Sequence, residues 1–318
     1  MEQKLIIDAD PGIGDALTIA LSLLDPEIDV VGILPTAGCT SGENASFNVH
    51  AIVGMLDPQK WPRIGWAEGP PISPALLGGP NPQVLNGKTG LGDLEVPVAE
   101  PHQRHESPRL LVDLVRTYPN ELTLLTLGPL TNIELAQERC PDLLAQLKGL
   151  IILGGSIAHG GDMTAAAEFN IFSDPEAARA ILNSSATKTL VPLDVTSGVM
   201  LTYSQFDRLA IDEHSRFGRL LQQTLPFAFR AQHEHLGVEG FPLAEFVALA
   251  AVIAPDLFDR ERMTVDVELQ GELTRGMTVF DNRRVSKAQP NIDVLTSVDT
   301  QSILDLLTQV AQKATTAL

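Results

Sequence analysis

Three aspartates, Asp8, Asp10 and Asp15, fall within eight residues of one another in LIIDADPGIGDAL, the segment from Leu5 to Leu17. Carboxylates crowded this closely repel each other, and burying them is costly unless a cation or a shared proton relieves the repulsion. The chemistry on offer is therefore a metal site or an acid/base site. Several hard oxygen donors on one loop suit Ca²⁺ or Mg²⁺ better than Zn²⁺. A plainer role is open to Asp15 alone, since an aspartate near a helix start commonly caps it or offsets its dipole.

The elements around these residues follow from the apolar pattern. Leu5-Ile6-Ile7 reads as a short buried strand stopped by Pro11-Gly12. From Asp15 on, Ala16, Leu17, Ile19, Ala20, Leu21, Leu23 and Leu24 read as a helix running to Asp25-Pro26. Carboxylates where a strand ends in an open α/β sheet lie where such folds bind ligands.

The rest of the chain repeats the alternation. Strands are expected at Val30 to Leu34, Leu122 to Leu127, Leu150 to Leu153 and Leu190 to Leu193, the last ending at Asp194. Helices are expected from Ser41 towards Met55, from Ser107-Pro108 through Val115, from Gly128-Pro129 to near Cys140, and from Asp174-Pro175 through Leu182. Ser204 to His235 reads as mostly helical with Pro226 as a break or kink, and Pro242 to Ile253 as an apolar helix. Thr264 to Leu269, Met277 to Phe280 and Ile292 to Leu295 read as strands of a closing sheet, followed by a final amphipathic helix from Asp299 to Lys313. Gly65 to Glu106, rich in Pro and Gly, reads as a long loop region, and Ser156 to Thr164 as a mobile glycine-rich loop. This alternation predicts an α/β fold: an open, mostly parallel, Rossmann-like sheet with helices on both faces.

Composition narrows the partners. The 318 residues carry no linker-like stretch, and a single domain over 1–318 is expected. With 22 basic against 40 acidic residues the net charge is −18, which argues against nucleic acid or an anionic membrane surface. No apolar run reaches membrane-spanning length. The two cysteines, Cys39 and Cys140, form no metal-spaced pair, and the amino terminus shows no secretory pattern, so a reducing cytoplasm is expected.

Five blocks stand in order along the chain: DADPGIGDA at Asp8 to Ala16, NGKTGLGD at Asn86 to Asp93, LGPLTN at Leu127 to Asn132, AEFNIFSDPEAA at Ala167 to Ala178, and PLAEFVALAAVIAPDLF at Pro242 to Phe258. In sequence and spacing they resemble the inosine/uridine-preferring nucleoside hydrolase family over nearly the whole chain. The resemblance implies that family's fold and hydrolysis of the N-glycosidic bond of a ribonucleoside. It implies a Ca²⁺ at the strand ends, which holds the ribose 2′- and 3′-hydroxyls and the attacking water. Carried over position by position, Asp10 would be metal ligand and general base, Asp15 a ligand, and the carbonyl of Leu127 another. Glu168 and Asn170 would grip the ribose hydroxyls, with Asn170 also supporting oxocarbenium character, and Asn86 would face the substrate. The resemblance further implies a small-molecule nucleoside partner and a homodimer or homotetramer.

The chain departs from the family pattern at four places. Gly14 replaces the first Asp of Asp-Asp-Ala, so one contact to the sugar is expected to be missing. Cys39 replaces an Asn, and Asn86 replaces the His of the HGxxGLG loop. Gly240-Phe241 occupies the His-Asp of HDPLA, removing a leaving-group acid and a carboxylate ligand. Asp8 is a candidate replacement ligand, and His233, His235 and Glu239 are candidates for a substitute acid. Two other readings are compatible with the residues. One is a homologue that binds a sugar, nucleoside or partner without turnover. The other takes Asp8-Ala9-Asp10 as the paired aspartates of a haloacid-dehalogenase-like phosphotransferase.

Overall fold

The computed structural model describes residues 2–69, 82–92, 94, 103–209, 211–281, 283 and 289–316. Its strands, in chain order, are β1 (Gln3–Ala9), β2 (Ile28–Pro35), β3 (Arg63–Ile64), β4 (Thr123–Thr126), β5 (Gly149–Leu153), β6 (Lys188–Val191), β7 (Met200–Leu201), β8 (Phe241–Pro242), β9 (Phe258–Met263), β10 (Val265–Val267), β11 (Thr278–Phe280) and β12 (Ile292–Val298). Eight of them form one sheet in the order β3-β2-β1-β4-β5-β6-β12-β9, parallel throughout except for the antiparallel edge pair β12 and β9.

That order reverses direction once. The chain leaves β1 towards β2 and β3 on one side, then returns to lay β4 against the other side of β1, register Ile7 to Leu125 and Asp8 to Thr126. The loops after β1 and β4 therefore diverge to opposite faces, opening a crevice beyond their carboxyl ends. The segment after Ala9 and the segment after Thr126 border it.

Both faces of the sheet are covered, which is why its strands read as continuous apolar runs. Leu5 and Ile7 point to one face, packed with the Ile13–Leu24 and Ala244–Ile253 helices, while Ile6 points to the other with Leu110, Leu124 and Ile133. No helix among the described residues is long and apolar enough to cross a membrane.

Four details differ from the sequence reading. The strand expected at Leu190 to Leu193 stops at Val191, because Pro192 has no N–H to continue the ladder, and Leu193–Thr196 is a helical turn. Ser204 to His235 divides into Tyr203–Arg208 and Arg216–Leu236, the second started by Ser215, and Pro226 lies inside it without ending it. Of the three closing strands only β12 joins the main sheet; β10 and β11 pair with each other. The far edge is instead β9, whose FDRERM sequence is too charged to read as a strand and blunts an exposed edge. The long loop expected over Gly65 to Glu106 contains the short helix Pro82–Asn86; its residues 70–81, 93 and 95–102 lie outside the described residues.

Candidate active site

Asp10 leaves β1 at the reversal point and is 4% exposed. Two glycines give its carboxylate room: a Cβ on Gly38 would lie 2.0 Å from Oδ2, and one on Gly128 2.5 Å from Oδ1. Neither glycine has a positive φ, so close approach, and not backbone conformation, is what position 38 and position 128 require. Cys39 fixes the rest: its N–H donates to Asp10 Oδ2 at 2.6 Å and its thiol to the Asp10 carbonyl at 2.7 Å. The end of β4 is tied to β1 by the Leu127 N–H donating to the Asp8 carbonyl at 2.7 Å.

Asp15 serves the start of its helix, as its position allows, by accepting from the Gly12 N–H through Oδ2 at 2.9 Å. Its other oxygen, Oδ1, is buried with no hydrogen-bond partner. The next free donor of that helix, the Ile13 N–H, is taken by Asn86 Oδ1 at 3.0 Å. Asn86 thus caps a helix 73 residues earlier while its side chain borders the crevice.

Across the crevice, Glu168 caps the short helix Phe169–Ser173. Its carboxylate accepts from the N–H groups of Gly155, Asn170 and Ile171 at 2.9–3.0 Å. The Asn170 amide donates to the carbonyls of Leu127 at 2.7 Å and Leu153 at 3.0 Å, bridging the ends of β4 and β5. With both amide N–H groups committed, its oxygen is the group left for a ligand.

These side chains share one cavity of about 350 Å³, within the range of small-molecule sites. Asp10, Asp15, Asn86, Leu127, Glu168 and Asn170 all line it, so the structure brings together every residue the block pattern singled out. Asp8 does not. It is fully buried behind the strand end, where Asn132 donates to Oδ2 at 2.7 Å and Oδ1 has no partner. His233, His235 and Glu239 stay outside too: His233 pairs with Glu239 at 2.8 Å on the surface, and from their helix it is Gln232 and Leu236 that reach the cavity. Gly240 adopts φ +144°, and Phe241, 5% exposed, contributes an apolar wall.

Sequence reasoning missed two acidic lining residues. Asp162 receives the Phe169 N–H at 2.8 Å. Glu245 comes from the first turn of the Ala244–Ile253 helix and is the one charged residue in AEFVALAAVI, which was the available signal.

Electrostatically the crevice is a nest of desolvated carboxylates. Burial raises Asp10 to about 7 against the hydrogen bonds from Cys39. Burial, then repulsion from Asp10 and Glu245, holds Asp15 well above the carboxylate range. Glu245 is raised to about 7 by burial and by Asp10, and Glu168 to about 8 by burial and by Asp162. Among the described residues no three His, Cys, Asp or Glu side chains converge as a ready-made ion cage. What the strand ends offer is two carboxylates, Asp10 and Asp15, and the Leu127 carbonyl. This all-oxygen set, with Asp15 Oδ1 orphaned, matches in chemistry a hard divalent cation that keeps several waters.

Known proteins match nearly the whole chain. The family model described as inosine-uridine preferring nucleoside hydrolase matches residues 5–305. Uridine nucleosidase 1 of Arabidopsis thaliana is 34% identical over 316 residues, covering 95% of this chain and 91% of the relative. The pyrimidine-specific ribonucleoside hydrolase RihA of Salmonella typhi is 31% identical, covering 97% and 98%. Among solved structures, a plant nucleoside hydrolase, the PpNRh1 enzyme, superposes with a TM-score of 0.87 at 27% identity, covering 98% of this chain and 99% of that one. A purine-preferring ribonucleoside hydrolase from Gardnerella vaginalis gives 0.85 at 26%, with the same coverage.

Proposed function

The chain belongs to the inosine-uridine preferring nucleoside hydrolases, a family of N-glycosyl hydrolases, and on that footing we propose that its cavity cleaves the N-glycosidic bond of a ribonucleoside with Asp10 as general base. The observation that carries this reading is the Asp10 carboxylate itself, seated between Gly38 and Gly128 at the sheet's reversal point and lining one cavity with Asp15, Glu168 and Asn170.

A general base must reach the proton it takes, and Asp10 lines the cavity with a carboxylate held in place by the Cys39 N–H. Asp10 takes a proton from a water whose oxygen bonds to the anomeric carbon as the carbon–nitrogen bond breaks and the base leaves with that bond's electron pair. Asp10, Asp15 and the Leu127 carbonyl would hold a divalent cation, of which Ca²⁺ suits mixed carboxylate and carbonyl donors best. Such an ion, when bound, orients sugar hydroxyls and makes a coordinated water more acidic. Glu168 and Asn170 serve the sugar: Glu168 accepts from ribose hydroxyls, and the Asn170 oxygen, its NH₂ held by the Leu127 and Leu153 carbonyls, lies against the positive charge that develops on the sugar. The nucleobase end is apolar, built from Phe241, Leu236 and Leu193.

The test is a panel of purine and pyrimidine ribonucleosides assayed for free ribose, with added Ca²⁺ or chelator, on the native chain and on Asp10→Asn. Turnover lost in the variant and on chelation is the expected result. Binding without turnover across the whole panel would replace this reading with that of a non-catalytic nucleoside binder, to which Gly14 and Gly240-Phe241 point.

A further inference from the structure

Gly14 and Glu245 compete for one volume. A Cβ built on Gly14 would lie 2.2 Å from Glu245 Oε2, 2.4 Å from Cδ and 2.6 Å from Oε1, far inside contact distance. Any side chain at position 14 would therefore evict this carboxylate. Gly14 lies within the Ile13–Leu24 helix and has no positive φ, so its backbone makes no demand for glycine. Glycine is also a poorer helix former than alanine. The room it leaves is occupied by Glu245 from the Ala244–Ile253 helix, which packs beside the Ile13–Leu24 helix on the same face of the sheet.

The carboxylate is placed to receive a ligand. Glu245 is half-buried and lines the cavity beside Asp10, and no other described residue donates a hydrogen bond to its side chain. Its own helix start favours the carboxylate, but Asp10 repels it and no neighbouring side chain among the described residues pairs with it. A hydroxyl-bearing ligand would pair with it, because each O–H donates to a carboxylate in a charge-assisted hydrogen bond.

We propose that Glu245 is a substrate-binding residue of this site, an acceptor for a ribose hydroxyl that takes the place of an acidic side chain at position 14. The inference rests on the ribonucleoside reading above. It assigns Glu245 to the sugar and not to an ion, because among the described residues no three His, Cys, Asp or Glu side chains are grouped to hold one. The acidic contact that the sequence pattern leaves missing at position 14 is thereby delivered from a different helix, 231 residues later in the chain.

The experiment compares the native chain with Glu245→Gln, Glu245→Ala, Gly14→Asp and the exchange pair Gly14→Asp with Glu245→Ala. Ribose and Ca²⁺ binding are read separately by calorimetry, Tm reports folding, and KM and kcat are measured on a ribonucleoside and its 2′-deoxy and 3′-deoxy counterparts. Loss of one charge-assisted hydrogen bond corresponds to about tenfold or more in affinity. Glu245→Ala and Glu245→Gln are expected to weaken ribose binding and raise KM by that factor, to discriminate less against one deoxy substrate, and to leave Ca²⁺ affinity within about twofold. Gly14→Asp alone is expected to lower both Tm and ribose affinity, and the exchange pair to recover much of each. Unchanged ribose affinity in Glu245→Gln and Glu245→Ala overturns the proposal, as does an exchange pair no better than Glu245→Ala. A selective loss of Ca²⁺ affinity would overturn it in favour of an ion ligand. A native chain that hydrolyses ribonucleosides with indifferent Glu245 variants sinks this inference alone; a native chain that neither binds ribose nor turns over the panel sinks the ribonucleoside reading with it.

Discussion

Cys39 holds Asp10 at two atoms, its backbone N–H on Oδ2 at 2.6 Å and its thiol on the main-chain carbonyl at 2.7 Å. The first contact is independent of the side chain, so replacing the cysteine should perturb Asp10 only through the second. Cys39→Ser is expected to keep activity within a few-fold, and Cys39→Ala to lose about 0.5–1.5 kcal/mol of stability, the net value of one hydrogen bond. Burial and the carboxylates of Asp10 and Asp15 push the thiol well above its usual range. Iodoacetamide at pH 8 should therefore leave Cys39 unmodified in the folded protein and label it in denaturant, as read by mass spectrometry; rapid labelling of the folded chain would contradict the packing described.

Gly38 and Gly128 bracket the same carboxylate, and each is expected to be intolerant of one added carbon. A methyl group 2.0 Å from Oδ2 or 2.5 Å from Oδ1 must move Asp10 by most of an ångström. Misplacement on that scale costs about 100-fold in rate. Gly38→Ala and Gly128→Ala should thus depress kcat far more than KM while circular dichroism stays native. Alanine variants with full activity would mean that the Asp10 position is not critical.

The sequence revealed the positions of the carboxylates better than their tasks. Period and turn signals place Asp10 and Asp15 where a strand ends and a helix begins, whereas Leu127, Glu168 and Asn170 enter only through the family resemblance of their blocks. Glu245, although the one charge in an apolar helix, passes as structural because a lone acid in a first helical turn already has a local explanation in the dipole. Its meaning comes from Gly14, and a contact between two helices so far apart in sequence leaves no local pattern. The same holds for Asn86, whose cap on Ile13 is a tertiary contact. Asp8 misled for a related reason: its spacing from Asp10 suggests one cluster, yet Asn132 claims it on the far side of the strand end.

Glu168 makes stability depend on pH in a definite direction. Its carboxyl titrates at about 8 in the folded chain against 4.5 for the ordinary group, burial being the first cause and Asp162 the second. Between those values the folded state holds more protons than the unfolded one, so the contribution is complete below about 4.5 and is lost as pH rises towards 8. Glu168→Gln removes that titration. Its Tm should be lower overall, because an amide NH₂ confronts backbone N–H donors, but should fall less between pH 5 and pH 8.5 than that of the native chain. Parallel Tm profiles for the two proteins would refute the assignment.

Removal of divalent cations should destabilise the protein through Asp15. One of its oxygens is satisfied by Gly12 and the other is buried without a partner, beside the like charges of Asp10 and Glu245. A cation on Oδ1 would supply the missing partner and cancel the repulsion, whereas in its absence the group must keep a proton or bear the strain of an unpaired buried charge. Chelator-treated protein titrated with Ca²⁺ to 100 times the dissociation constant should gain about 2.7 kcal/mol, a rise of several degrees in Tm. Asp15→Asn keeps an acceptor for the Gly12 N–H and removes the charge, so it should raise the Tm of the chelated protein and abolish the gain with Ca²⁺. If the asparagine variant responded to Ca²⁺ as fully as the native chain, the ion would have to bind without Asp15, and the oxygen set assigned at the strand ends would be wrong.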